Sequence, residues 1–236
     1  MMKARIVALF FFAAPFCAVA EEPVQPIDLN LSSVTAVTIT GEASSIALTT
    51  TEDEPYQATL GGVRSGWFAK WYSSWFYTDC RTSSRMRIEN TTLHVDAGSV
   101  SWLEPSDCKV EFKANVRKGT SISIEQAASQ VSLAGDFSMV SLDNKAADVT
   151  LNGYAESIEL RGDAIRSHLT YRQTRNSETI EITGRALDTY LGFVSGTQIS
   201  YKVDAVAAMV DSSLPNTTDA KPSVTIKGQY VRATIR

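Results

Sequence analysis

The 236-residue chain carries only two histidines, three cysteines and no excess of basic residues. Each shortage excludes a class of function. His94 and His168 are far apart and no Cys/His cluster accompanies them, so the chain lacks the ligand spacing of a zinc site. Alternation in TLHVDAG and SHLTY turns both imidazoles away from a core. No G-x-S-x-G elbow, phosphate loop or dinucleotide fingerprint occurs. With 22 Lys and Arg against 26 Asp and Glu, nothing favours nucleic acid or an anionic membrane as partner. After residue 20, no run is long and apolar enough to cross a bilayer.

Residues 1–20 read as a signal peptide. Lys3 and Arg5 precede an apolar run from Ile6, which ends in Ala18-Val19-Ala20 before Glu21-Glu22. Phe16 before Cys17 does not suit lipoprotein processing, which wants a small residue there. Cleavage after Ala20 makes the mature chain more acidic, because it removes two basic residues and no acidic ones. Residues 21–33 are expected to be a linker, and 34–236 a single domain. An exported chain left with Cys80 and Cys108 is expected to join them. The loop spans 28 positions, for which chain entropy gives roughly 3.5 kcal/mol of stabilisation.

What the chain does contain is a period of nine. From Ile122 the units are ISIEQAASQ, VSLAGDFSM, VSLDNKAAD, VTLNGYAES and IELRGDAIR, in unbroken register. Positions one and three are apolar and alternate with polar residues, as in a strand with one buried face. Position five is mostly Gly or Asn, which suits a bend. Position seven has the parity of one and three, so it is expected to point inward, with a small residue at a tight corner. Because nine is odd, a second turn must reset the parity at positions eight and nine. Related units begin at Val37, Ile180 and Val224.

The predicted fold is therefore all-β: a β-solenoid or β-roll-like domain of stacked nine-residue strand-turn repeats. Two units per coil would make a flattened two-sided roll, and three a triangular helix. An antiparallel β-sandwich is the alternative. Calcium binding of the GGxGxDxUx kind is not expected. Asp136 and Asp163 follow position five, but Lys145 and Tyr154 take the same slot, and no glycine is doubled.

The segment VRKGTSISIEQAASQVSLAGDFSMVSLDNKAADVTLNG, with Lys118-Gly119 ahead of its V-x-L-x-G turns, resembles the adhesin-like β-strand-repeat families. These are exported bacterial head-domain β-solenoids of unknown function. VTIKGQYVRATI is similar to their closing strands. The resemblance runs from Val34 to Arg236 and implies a solenoid-like fold at the cell envelope or surface. It transfers no catalytic residue, and the family pattern does not include the insert at about 61–108.

That insert holds the densest aromatic stretch: Trp67, Phe68, Trp71, Tyr72, Trp75, Phe76 and Tyr77, ending at Cys80. The stretch is expected to cap an open coil end, with an exposed platform for glycan rings or a protein as the alternative. Asp143, Asp148, Glu156, Glu159 and Asp163 could serve a polysaccharide-processing enzyme on a β-helix, but they alternate with Lys145, Arg161 and Arg166, as on a solvated face. Arg161-Gly162-Asp163 falls on repeat position five and its neighbours, which accounts for it without receptor recognition. The functional expectation is a non-catalytic, exported scaffold without cofactor or metal. Its partner would be an envelope protein or a glycan, in the periplasm or outside the cell. A carbohydrate-binding module using Trp67, Trp71 and Trp75 is a further alternative.

Overall fold

The computed structural model describes residues 29–64, 79–80, 82–99 and 108–236. The signal peptide and all seven aromatics from Trp67 to Tyr77 lie outside the described residues. The fold is all-β, with no helix among the described residues. Its strands are β1 (Leu29–Asn30), β2 (Ala36–Thr49), β3 (Gln57–Arg64), β4 (Asp79–Cys80), β5 (Arg85–Glu89) and β6 (Thr92–Ala97). They continue with β7 (Cys108–Asn115), β8 (Thr120–Tyr171), β9 (Thr179–Gly192), β10 (Ser200–Ser212) and β11 (Ser223–Ile235). They make one open sheet in the order β1-β3-β7-β2-β8-β9-β11-β10. β1 lies within the stretch read as linker. It pairs antiparallel with β3, and Leu31 beside it is fully buried.

The ladders from β2 onward are parallel. β2 pairs with β8, β8 with β9, β9 with β11, and β11 with β10. Among the described residues, antiparallel pairing is confined to β1, β3, β4 and β7 and to the β5–β6 hairpin. β11 thus stands between two strands that both precede it in the chain.

β8 is extended for 52 residues without a break. Laid straight it would measure roughly 170 Å, so it must turn corners and return on itself. Its contacts return at an interval of eighteen. The Gln126 main-chain N–H donates to Asn144 Oδ1 at 2.9 Å. A Cβ added at Gly153 would sit 2.0 Å from the Gly135 carbonyl oxygen, so only glycine fits there. Gly135 itself has φ 119°, open to glycine alone.

Burial shows the same interval at position eight, where Ser129, Ala147 and Ile165 are buried, while Ser138 and Glu156 in the nonamers between them are not. Successive nonamers are therefore not equivalent. In the unit from Val131, position seven is Phe137 and is buried, as expected; so is Ala155 in the unit from Val149. In the units from Ile122, Val140 and Ile158, position eight is buried instead, and Ala146 and Ala164 at position seven are exposed. The inward expectation for position seven thus fails on one of the two sides. The reason is local. On that side the ladder skips position six, leaving Asp163 and Arg185 unpaired between the Gly162–Gly184 and Ala164–Ala186 registers. The unpaired corner residue shifts parity by one, so the next residue faces out.

Position five on that side is Gln126 and then Asn144, both buried. Each side chain bonds a serine inside the corner, and Gln126 Nε2 has no hydrogen-bond partner among the described residues. Ser44 Oγ donates to Gln126 Oε1 at 2.9 Å, and Asn144 Nδ2 donates to Ser129 Oγ at 2.6 Å.

Candidate interaction groove

The skipped corner residue borders a concave stretch of surface. Turning position seven outward lines up small residues along the sheet. Ala43 stands beside Ala128, Ala164 beside Ala186, Ala186 beside Tyr230, and Tyr230 beside Ala207. Ala146 lies eighteen residues from both Ala128 and Ala164. With no side chain beyond Cβ at most of these places, the surface sinks into a groove of about 1280 Å³. It crosses seven strand passages, so its length is roughly 29 Å at ordinary strand spacing.

One wall of the groove is position nine, where charge alternates. Asp148, Arg166, Asp188 and Arg232 follow one another, with Arg166 in register with Asp188 and Asp188 with Arg232. Arg166 Nη1 lies 3.9 Å from Asp148 Oδ2. Gln130 and Ser45 extend the wall at one end and Met209 closes it at the other. Exposed pairs of this kind contribute little to stability. They do present both signs of charge at regular intervals. An apolar floor beside such a wall suits an elongated ligand, because the small side chains allow close approach.

The residues singled out by sequence are distributed around this feature. Gly98, Ser99, Cys108, Lys109 and Val110 line one end of the groove. Cys108 is joined there to Cys80, whose strand pairs with β3 at Gly62. The aromatics between Trp67 and Tyr77 lie outside the described residues. Of the five carboxylates, Asp148 is in the groove wall and Glu159 pairs with Arg161. Asp143, Glu156 and Asp163 are exposed, Asp163 at an unpaired corner. His94 is half-buried, 3.7 Å from Glu89. His168 is exposed and stacks on Tyr190 with ring centres 4.3 Å apart. Among the described residues no group of three His, Cys, Asp or Glu side chains could hold a metal ion, and no helix is long and apolar enough to cross a membrane.

Sequence reading missed the groove. Its signal was present in the alternate nonamers: alanine recurs at position seven, and opposite charges alternate at position nine.

No family model matches the chain. No curated protein matches it. Among solved structures it is similar to a putative cell adhesion protein from Clostridium sporogenes, at 8% identity and TM-score 0.43, over 90% of this chain and 97% of that one. It is also similar to a putative adhesin from Bacteroides fragilis, at 10% identity and TM-score 0.37, over 89% of this chain and 95% of that one. A putative lipid binding protein from Parabacteroides distasonis is similar at 11% identity and TM-score 0.34, over 90% and 96% of the two chains. At such TM-scores the likeness carries no argument about this chain.

Proposed function

We propose that the chain is a non-catalytic, exported β-solenoid scaffold whose groove holds an elongated partner in the cell envelope or at the surface. In this reading residues 1–20 are the removed signal peptide, and one β-repeat domain runs from about Leu29 to Arg236. Two nonamers make each coil. The eighteen-residue interval of burial and the parallel ladders support two-sided coils over an antiparallel sandwich. The observation that carries the functional reading is the alanine-floored groove with its alternating charges. It is built by the repeat itself, so it would accept a long ligand at equivalent points. The Trp67 to Tyr77 stretch enters the proposal as a cap or as a second contact surface.

Capture of partners from envelope extract tests the reading. Ala164→Trp places an indole across the groove floor at an exposed position, whereas Ser132→Trp adds the same group at an exposed site that does not line the groove. Loss of capture in the first variant alone is expected. Equal capture by both overturns the groove as the binding site. Turnover of an envelope polysaccharide by the purified protein overturns the non-catalytic reading. Loss of binding on changing Trp67, Trp71 and Trp75 to Ala, with Ala164→Trp silent, moves the site to the aromatics.

A further inference from the structure

Six large hydrophobic side chains stand exposed among the described residues, and four of them are on the last two strands of the sheet order. Val206 is 86% exposed, Met209 65%, Val210 40% and Tyr230 65%. β10 ends the sheet order and pairs along one side only, with β11. Its two halves differ. Near Tyr201 the outer side is covered, because Asn216 accepts the Tyr201 N–H and donates back to its carbonyl, both at 2.9 Å. Beyond the corner at Val206 no strand among the described residues covers it.

The geometry of that second half is defined. The Ser213 N–H donates to the Ile235 carbonyl. Alternation therefore aims the main-chain groups of Ala208, Val210 and Ser212 away from β11. Ala208 and Val210 stand in register with Val231 and Ala233, which are buried. They occupy core columns, yet both are exposed. The core is thus left open at this edge, and an unpaired apolar edge is a template for another strand.

We propose that this edge is the seam of a twofold homodimer, in which Ala207–Asp211 pairs antiparallel with the same segment of a second copy, centred on Met209. The strand that best completes the edge is its own copy. In this register Ala208 and Val210 exchange main-chain hydrogen bonds across the seam at two symmetric places. Each core column is continued by an apolar residue. Met209 faces Met209 of the other copy. No like charges are opposed, because Asp211 faces Ala207 and its carboxylate already pairs with Arg236. A twofold contact also closes after one partner, because it covers this stretch of β10 in both copies.

Sedimentation velocity across a concentration series tests the seam. The wild-type protein is expected to sediment as a dimer at the upper concentrations, and Met209→Lys as a monomer at all of them with an unchanged circular dichroism spectrum. At the centre of such a seam the two residue-209 Cα atoms fall within disulfide reach, at about 4.5 Å. Met209→Cys is therefore expected to give a covalent dimer on non-reducing gels, while Gln229→Cys, on an exposed corner of β11, does not. A wild-type monomer at the highest soluble concentration overturns the proposal. So does a dimer that survives Met209→Lys, or one that Met209→Cys fails to cross-link.

Discussion

The Asn144 carboxamide accepts the main-chain N–H of Gln126, eighteen residues earlier, at 2.9 Å inside a buried corner. The same group donates to Ser129 at 2.6 Å. One side chain thus satisfies a main-chain donor and a hydroxyl that water does not reach. Asn144→Ala would strand both and open a small void. The expected loss is about 2–3 kcal/mol of unfolding free energy, read from urea melts. Asn144→Asp keeps the acceptor and, while its carboxyl is protonated, replaces the amide donor with an O–H, so it should fall in between at pH values where the carboxyl is protonated; ionisation removes that donor and should lower stability further. No change in the urea midpoint for Asn144→Ala would show that the corner is held by packing alone.

The disulfide between Cys80 and Cys108 closes a 28-residue loop beside the antiparallel end of the sheet. Replacing both cysteines with Ala is expected to cost roughly 3.5 kcal/mol through the freed loop. Reductant should lower the melting temperature of the wild type and leave the variant unchanged. The parallel ladders from β8 to β10 do not depend on this loop. Hydrogen exchange should therefore rise first in β3 and β7, and uniform acceleration across all strands would contradict that.

Tyr171 is 2% exposed, and its hydroxyl has no hydrogen-bond partner among the described residues. It stacks on Phe193 and meets Tyr154 edge-on. Burial, with the nearby Glu178 carboxylate second, pushes its ionisation well above the ordinary value of 10.0. The unfolded chain then releases the phenolic proton before the folded one does. Stability is accordingly full below about pH 10 and falls as pH rises above it. Tyr171→Phe removes an unsatisfied polar atom and should be neutral or stabilising at pH 7, with a shallower alkaline decline. A fluorescence-monitored melt at pH 7 and pH 10.5 checks both. Marked destabilisation at pH 7 would mean that the hydroxyl has a partner.

Much of the fold could be read from the chain because burial and bending leave local marks. The strand alternation at Ile122 and Ile124 and the bends at Gly135 and Gly153 follow from residue type alone. The doubling of the period did not show, since Ala146 and Ala155 are the same residue in the same slot yet face opposite ways. That difference arises from the ladder skipping position six on one side, and a skipped partner is visible only once strands are paired. The charge alternation of Asp148, Arg166, Asp188 and Arg232 looked like an ordinary polar face, because its members are spread over 85 positions and meet only through register. The short strand Leu29–Asn30, inside the stretch read as linker, left no mark in the sequence for a similar reason, as two residues of strand carry no periodicity.

The place of β11 between β9 and β10 bears on how the molecule is made. A chain leaving a ribosome delivers β10 before β11, its strand neighbour among the described residues, exists. β9 and β10 must wait apart, each with a bare edge, until the last strand slides in and bonds to both. Assembly therefore cannot finish strand by strand in the order of synthesis. Its closing event is an insertion, and a chain stopped short of Ser223 would leave bare the edges of β9 and β10 that β11 covers.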